Sequence, residues 1–298
     1  MSTLRELKGR IGSVASSEKI TGAMKMISSA KMHKAEGVLR RLEPYRSCVQ
    51  SIIQTLAAAD SPVSSPLTQA RPVDKVAIVA LGSDDGLCGA YNANIIKGVA
   101  DRVDLIHAQD GDAVRVTVYV IGKKLLKAAS RLADKGATVV GVAGYTSAAP
   151  AEMIKQLADT LSRNFLAGKY DIVELDYMHY YSAGRQRFQV SPYLPATPQN
   201  NADTQQKTGG REDSMVIFEP SAEALYAQVV PMYLLSTLQE AFAQNAASEQ
   251  AARVMAMQSA NDNAQKLLGQ LRLEYNKLRQ QSITTELLDI VGGQSRDN

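Results

Sequence analysis

The sequence predicts an α/β fold in two parts: a long antiparallel coiled coil built from both ends of the chain, and a central Rossmann-like α/β domain between them. Three observations carry this. Residues 3–59 and 231–291 each hold helical periodicity almost without interruption. Residues 75–166 alternate short β-branched runs with amphipathic helical stretches, the pattern of a parallel sheet covered by helices. The two helical segments are of similar length and would each reach roughly 80–90 Å at 1.5 Å per residue, too long to bury an apolar face on a small domain. They must pair with each other, with a partner, or both. The domain boundaries follow: 1–59 for the first helix, 60–219 for the α/β domain, and 220–298 for the last helix.

In the first helix Leu7, Val14, Thr21, Ser28, Ala35, Leu42, Val49 and Leu56 recur every seven residues. Met24, Val38, Tyr45 and Ile52 supply the second seam position in this reading, with Leu4 and Ile11 continuing the stripe after a small register shift. Gly9, Gly12, Gly22 and Gly37 lie inside the helix, each costing up to about 1 kcal/mol relative to Ala. They are read either as tolerated in a stable coiled coil or, the favoured reading, as close approach by another backbone. Pro44 is placed to kink the helix near Leu42. The stretch Asp60–Pro72 is rich in Ser and Pro and ends it.

Lys75–Leu81 is a buried-strand pattern, followed by a helix over 92–107. A strand over 114–121, a helix over 123–133, a short strand over 137–142 and a helix over 151–166 continue the alternation. Residues 171–181 and 187–193 flank Ser182-Ala183-Gly184, the signal of a closing hairpin. The polar, Pro/Gly-rich stretch 195–213 reads as a mobile loop. Ser221, after Pro220, is an N-cap for the last helix, and Pro231 is placed to kink it. Beyond it Ala247, Gln250, Val254, Met257, Asn261, Ala264, Leu268, Leu271, Tyr275, Leu278 and Ser282 step in threes and fours, with Gln250 and Asn261 as polar seam members that fix register.

Composition narrows the function classes. The net charge is +3, with basic residues crowded on the first helix. Cys48 and Cys88 are too few and too scattered for a disulfide framework or a Cys-rich metal site. No apolar run approaches a membrane span, so the expectation is no direct membrane insertion. Gly82-Ser-Asp-Asp-Gly-Leu-Cys-Gly89 follows a strand, where a Gly-rich loop can cradle phosphate. It matches neither G-x-G-x-x-G nor a P-loop, and Asp84 and Asp85 repel phosphate. A tight turn is the simpler reading, with Cys88 a structural thiol. His33, His107 and His179 are far apart in sequence, without ligands at metal spacing. The residues point to no catalytic site, no cofactor and no metal. The alternatives are a nucleotide-binding α/β protein with a coiled-coil dimerisation arm and a basic coiled-coil protein that binds nucleic acid. The first helix lacks the aromatic platforms of a single-strand binder.

Lys19-Ile-Thr-Gly-Ala-Met-Lys-Met-Ile-Ser-Ser-Ala-Lys31 is similar to the N-terminal signature of the gamma subunits of F-type ATP synthases. Residues 247–257, Ala-Ser-Glu-Gln-Ala-Ala-Arg-Val-Met-Ala-Met, and residues 273–293, ending Leu-Leu-Asp-Ile-Val-Gly-Gly, resemble that family's C-terminal signatures. Ser83–Gly89 resembles its central motif, with Asp85 where the family usually has Arg, and Ala90 stands where it usually has a second Gly. The resemblance implies a non-catalytic rotor shaft that couples rotation of the membrane c-ring to ATP synthesis or hydrolysis. The coiled coil would sit inside a ring of alpha and beta subunits, and the α/β domain would bind the epsilon subunit and the c-ring, with no nucleic acid. It implies a peripheral location on the cytoplasmic side of a bacterial inner membrane. Matching the motifs gives candidate contacts between rotor and stator at Met24, Lys25, Lys31, Lys34, Arg253, Arg279, Gln280, Thr284 and Glu286. Ile283, Leu287, Ile290 and Val291 would form an apolar bearing at the C-terminal tip.

Overall fold

A computed structural model of the chain describes residues 3–57, 63–111, 113–142, 144–147, 149–197 and 218–294. They divide into two compact units. Among the described residues, one comprises 3–29 with 253–294 and the other lies within 30–252. The predicted loop over 195–213 falls almost entirely outside the described residues.

The two long helices are α1, Leu4–Ala57, and α5, Ala222–Gln294. Both run through their internal prolines, Pro44 and Pro231, as continuous α-helix. Ser221 caps α5 as its sequence position predicts, its Oγ accepting the Ala224 N–H at 3.2 Å.

In the first unit α1 and α5 lie antiparallel. Asn261 Nδ2 donates to the Glu18 carbonyl at 2.8 Å and reaches Thr21 Oγ1 at 3.3 Å, while Gln265 Nε2 donates to Glu18 Oε1 at 3.2 Å. Numbers rising on one helix meet numbers falling on the other. Asn261 thus fixes the register, as a polar seam residue should. The seam positions predicted along α5 from Ala247 to Ser282 are all buried or half-buried.

On α1 the seven-residue series from Leu7 to Leu56 is also buried or half-buried, but its predicted companion row holds only in part: Met24 and Val38 are half-buried. Tyr45 and Ile52 are 42% and 41% exposed, whereas Met32 and Ile53 are buried. The second row follows four residues after the first: Leu4, Ile11, Glu18, Lys25, Met32, Leu39, Arg46 and Ile53. Leu4 and Ile11 are its opening members rather than a register shift. Three charged residues in this row hide it from a search for apolar period. The glycines of α1 lie open within the described residues. A Cβ on Gly9, Gly12 or Gly37 would meet nothing within 4 Å, and one on Gly22 would only touch Asn261 at 3.4 Å. Among the described residues no other backbone lies where such a Cβ would go.

The second unit holds a five-stranded sheet in the order β3-β2-β1-β4-β5. The strands are β1, Lys75–Leu81; β2, Arg115–Ile121; β3, Thr138–Gly141; β4, Ile172–Ser182; and β5, Arg185–Leu194. The first four are parallel and β5 runs antiparallel to β4, closing the predicted hairpin. Helices α2, Tyr91–Asp110; α3, Lys123–Ala128; and α4, Ala151–Leu166, connect the strands. A 3₁₀ segment, Ala129–Lys135, replaces the end of the predicted second domain helix and stops at Gly136 with φ +79°.

Alternation along β1 builds a core on each face. Ala77, Val79 and Leu81 join α4, α1 and α5, including Ile53, Phe165 and Leu238. Val76, Ile78 and Ala80 join α2, α3 and the 3₁₀ segment, including Ile95, Val99 and Leu125. Gly98 lets α2 lie directly on the ring of Phe188, which a Cβ there would meet at 2.5 Å.

Candidate functional site

A Rossmann-like sheet offers ligands the crevice where strand order reverses, at the carboxyl ends of the strands. Here that point lies beyond β1, between β2 and β4, where the loop 82–89 begins. The loop turns its bonding capacity inward. The Ser83 carbonyl accepts the Lys124 N–H at 3.1 Å, and the Ser83 N–H donates to Asn92 Oδ1 at 3.2 Å. The Asp84 carboxylate accepts the N–H groups of Lys123 at 3.1 Å and Ser147 at 2.7 Å, tying this loop to two others. Cys88 is buried against Ser83 and the Asp85 carbonyl. Asp85 acts here through its carbonyl, which also accepts from Ser83 Oγ at 2.9 Å, while its side chain is exposed. The turn therefore does not depend on which side chain stands at 85.

α5 meets the start of this loop. Asn245 Nδ2 donates to the Gly82 carbonyl at 3.0 Å, and its Oδ1 accepts the Tyr91 hydroxyl at 2.6 Å. Asn245 is buried, so these bonds form away from water. Asn245 of the chain's own last helix thus bonds directly to the residue that follows β1, at the mouth of that crevice.

Asn245 belongs to a set of polar residues with which α5 grips the sheet domain. Gln244 Oε1 accepts the Tyr180 N–H at 3.0 Å, and Ser248 Oγ donates to the Met178 carbonyl at 2.7 Å. Glu240 pairs with Arg46 of α1. Glu240, Gln244 and Ser248 are four residues apart and share one helix face. The sequence reading passed over this row. Its detectable signal is a polar series at four-residue spacing inside an otherwise apolar stripe. The Tyr180 hydroxyl meets Glu36 of α1, which also bonds His33 Nδ1 at 2.9 Å. The Tyr180 bond, then His33, holds the Glu36 carboxyl below its ordinary value. Burial, then the Glu36 bond, pushes the Tyr180 hydroxyl up to about 12. An open cleft of about 900 Å³ lies beside these bonds and brings His33 and His179, distant in sequence, to one place.

The motif-matched contact residues divide by exposure. Met24 and Lys25 are half-buried, and Lys31 and Lys34 are exposed. Arg279, Gln280, Thr284 and Glu286 are exposed on α5, as are Ile283 and Leu287 at 49% and 58%. The Thr284 hydroxyl donates to the Gln280 carbonyl at 2.9 Å, within its own helix. Arg253 differs: it is buried, 6% exposed. Ile290 and Val291 lie on the helical backbone of α5, and their side chains fall outside the described residues. No helix among the described residues is long and apolar enough to cross a membrane.

The family profile described as ATP synthase matches residues 3–295. A relative from Bacteroides thetaiotaomicron, named ATP synthase gamma chain, is 41% identical, covering 98% of this chain and 99% of its own length. A Bacteroides fragilis protein of the same name is 41% identical over 98% of this chain and 99% of its own. Among solved structures, a chain of the Euglena gracilis mitochondrial ATP synthase, in an assembly titled OSCP/F1/c-ring, aligns with TM-score 0.63 at 20% identity, covering 98% of this chain and 93% of that one. A chain of the Tetrahymena thermophila central stalk and c-ring aligns with TM-score 0.56 at 23% identity, covering 81% and 99%. These two likenesses bear on the fold.

Proposed function

The chain belongs to the gamma chains of ATP synthase, non-catalytic subunits of a rotary complex, and from that premise we propose how its own residues serve as the rotor shaft. The observation that carries this is the match of both termini and the centre to one family over nearly the full length of each chain.

In this reading the paired helices occupy the ring of alpha and beta subunits. The α/β domain meets the epsilon subunit and the c-ring, on the cytoplasmic side of a bacterial membrane. A shaft that presents a different face to each beta subunit changes nucleotide affinity only through contacts that differ between rotational states. The exposed polar residues Arg279, Gln280, Thr284 and Glu286 supply such contacts on α5, and Lys25, Lys31 and Lys34 supply them on α1. Exposed ion pairs contribute only about 0–1 kcal/mol each, weak enough to break and re-form at every step. Ile283, Leu287, Ile290 and Val291 supply apolar surface that slides without demanding one angle. The bond from Asn245 to Gly82, at the mouth of the crevice, supports a domain that transmits torque rather than binding nucleotide.

Reconstitution tests the proposal. Alpha and beta subunits from the same organism, purified without this chain, are expected to show little sustained ATPase activity, and adding the chain is expected to restore it. Equal activity with and without the chain would remove the shaft from the mechanism. Purification of the tagged chain from native membranes should also bring the other ATPase subunits with it.

A further inference from the structure

The β4–β5 ribbon is held unevenly along its length. β1 pairs with β4 only as far as Asp176, opposite Ala80. From Tyr177 to Ser182 the strand partner of β4 is β5 alone. A two-stranded ribbon is marginal in water without a surface to pack on. Near the turn its neighbour on the α1 side is the open cleft, with His33, Glu36 and Arg46 on one wall and Tyr180 and Tyr181 on another. Apolar packing does not fill that gap, and hydrogen bonds across it take its place.

Tyr180 makes these bonds to both long helices. Its backbone N–H donates to Gln244 of α5 at 3.0 Å, and its hydroxyl donates to Glu36 of α1. The helices are joined to each other nearby by Arg46 and Glu240. His33 holds Glu36 from the far side at 2.9 Å. One residue at the outer end of the ribbon thus closes a ring of bonds through sheet, α1 and α5.

We infer that Tyr180 is a positioning residue for torque transfer: it ties the free end of the β4–β5 ribbon to both long helices, so that rotation of the sheet domain passes to the helices without slack. This rests on the rotor reading. A shaft loses useful work to twisting wherever two of its parts move independently, and an unbraced ribbon on a domain that receives torque is such a place.

The test uses the complex assembled with alpha and beta subunits and fixed to a surface, without nucleotide, so that the rotor is stalled. Cys48→Ser removes the exposed native thiol, and Ala183→Cys carries a probe at the ribbon turn. The angular variance of that probe is expected to rise about twofold in Tyr180→Phe and by a similar factor in Glu36→Ala, with no further rise in the double variant, because both remove the same bond. ATP hydrolysis should stay within about twofold of the parent, which a general loss of folding would not allow. Unchanged variance in both single variants, or effects that simply add in the double variant, would overturn the inference while leaving the rotor reading intact. A parent probe that does not turn when ATP is supplied would sink the rotor reading, and this inference with it.

Discussion

Asp176 lies fully buried on β4, and among the described residues neither of its carboxylate oxygens has a hydrogen-bond partner. Burial, then the charge of Glu174, raises its pKa well above the ordinary 3.8, with Arg102 opposing. Arg102 is committed to Glu174, donating from Nε at 2.8 Å and again from Nη2. The unfolded chain releases this proton near pH 4 while the folded chain keeps it. Stability is therefore greatest on the acid side and falls as pH rises through that window. Asp176→Asn removes the titration. The difference in unfolding free energy between variant and parent should grow in the variant's favour from pH 4 to pH 8, measured by urea unfolding at several pH values. Parallel curves would refute it. Glu36 acts in the opposite sense: its lowered pKa adds stability above the ordinary carboxylate range that is lost as pH falls through its folded value. Asn245→Ala should cost about 1–3 kcal/mol in the same assay, because it takes the Asn245 donor from the buried Gly82 carbonyl, while the Tyr91 hydroxyl keeps the backbone carbonyl of residue 245 at 3.0 Å.

For single elements, the second seam row of α1 is the sharpest case. Ile53→Ala is expected to cost about 2–5 kcal/mol, whereas Ile52→Ala, one residue away, should cost under about 1 kcal/mol. A reversal would restore the row read from the sequence. Gly9→Ala, Gly12→Ala and Gly37→Ala should each stabilise the isolated chain by up to about 1 kcal/mol, since nothing lies where the new methyl group would go. Thermal unfolding checks this, and any loss of assembly in the same variants would locate a partner subunit at that glycine. The contrast also shows what a single chain makes legible. The bounds of β1 and α4 were readable to the residue, because turn residues and β-branched runs announce them. The companion row on α1 was not, because Glu18, Lys25 and Arg46 interrupt its apolar period. Their reasons for facing inward include Gln265 and Glu240, more than 190 positions further along the chain. Long-range polar pairing leaves no local periodic trace, and the grip of Gln244, Asn245 and Ser248 on the sheet went unread for the same reason.

For the whole molecule, each unit answers a different mechanical demand. The first unit keeps helix register through polar seam bonds and leaves Arg279, Gln280, Thr284 and Glu286 exposed. The second builds a nucleotide-binding type of sheet and joins it to α5 through Asn245 at the mouth of the crevice. Family membership identified which complex the chain serves, and the buried polar joint shows how a sheet domain is fastened to a pair of helices within it. The decisive measurement is direct observation of rotation. Alpha and beta subunits are fixed to a surface with this chain between them, and a bead is attached at Ala183→Cys. Unidirectional stepwise turning that starts with ATP and stops when ATP is removed is the result the rotor mechanism predicts. Sustained ATP hydrolysis with the bead showing only Brownian motion would contradict it.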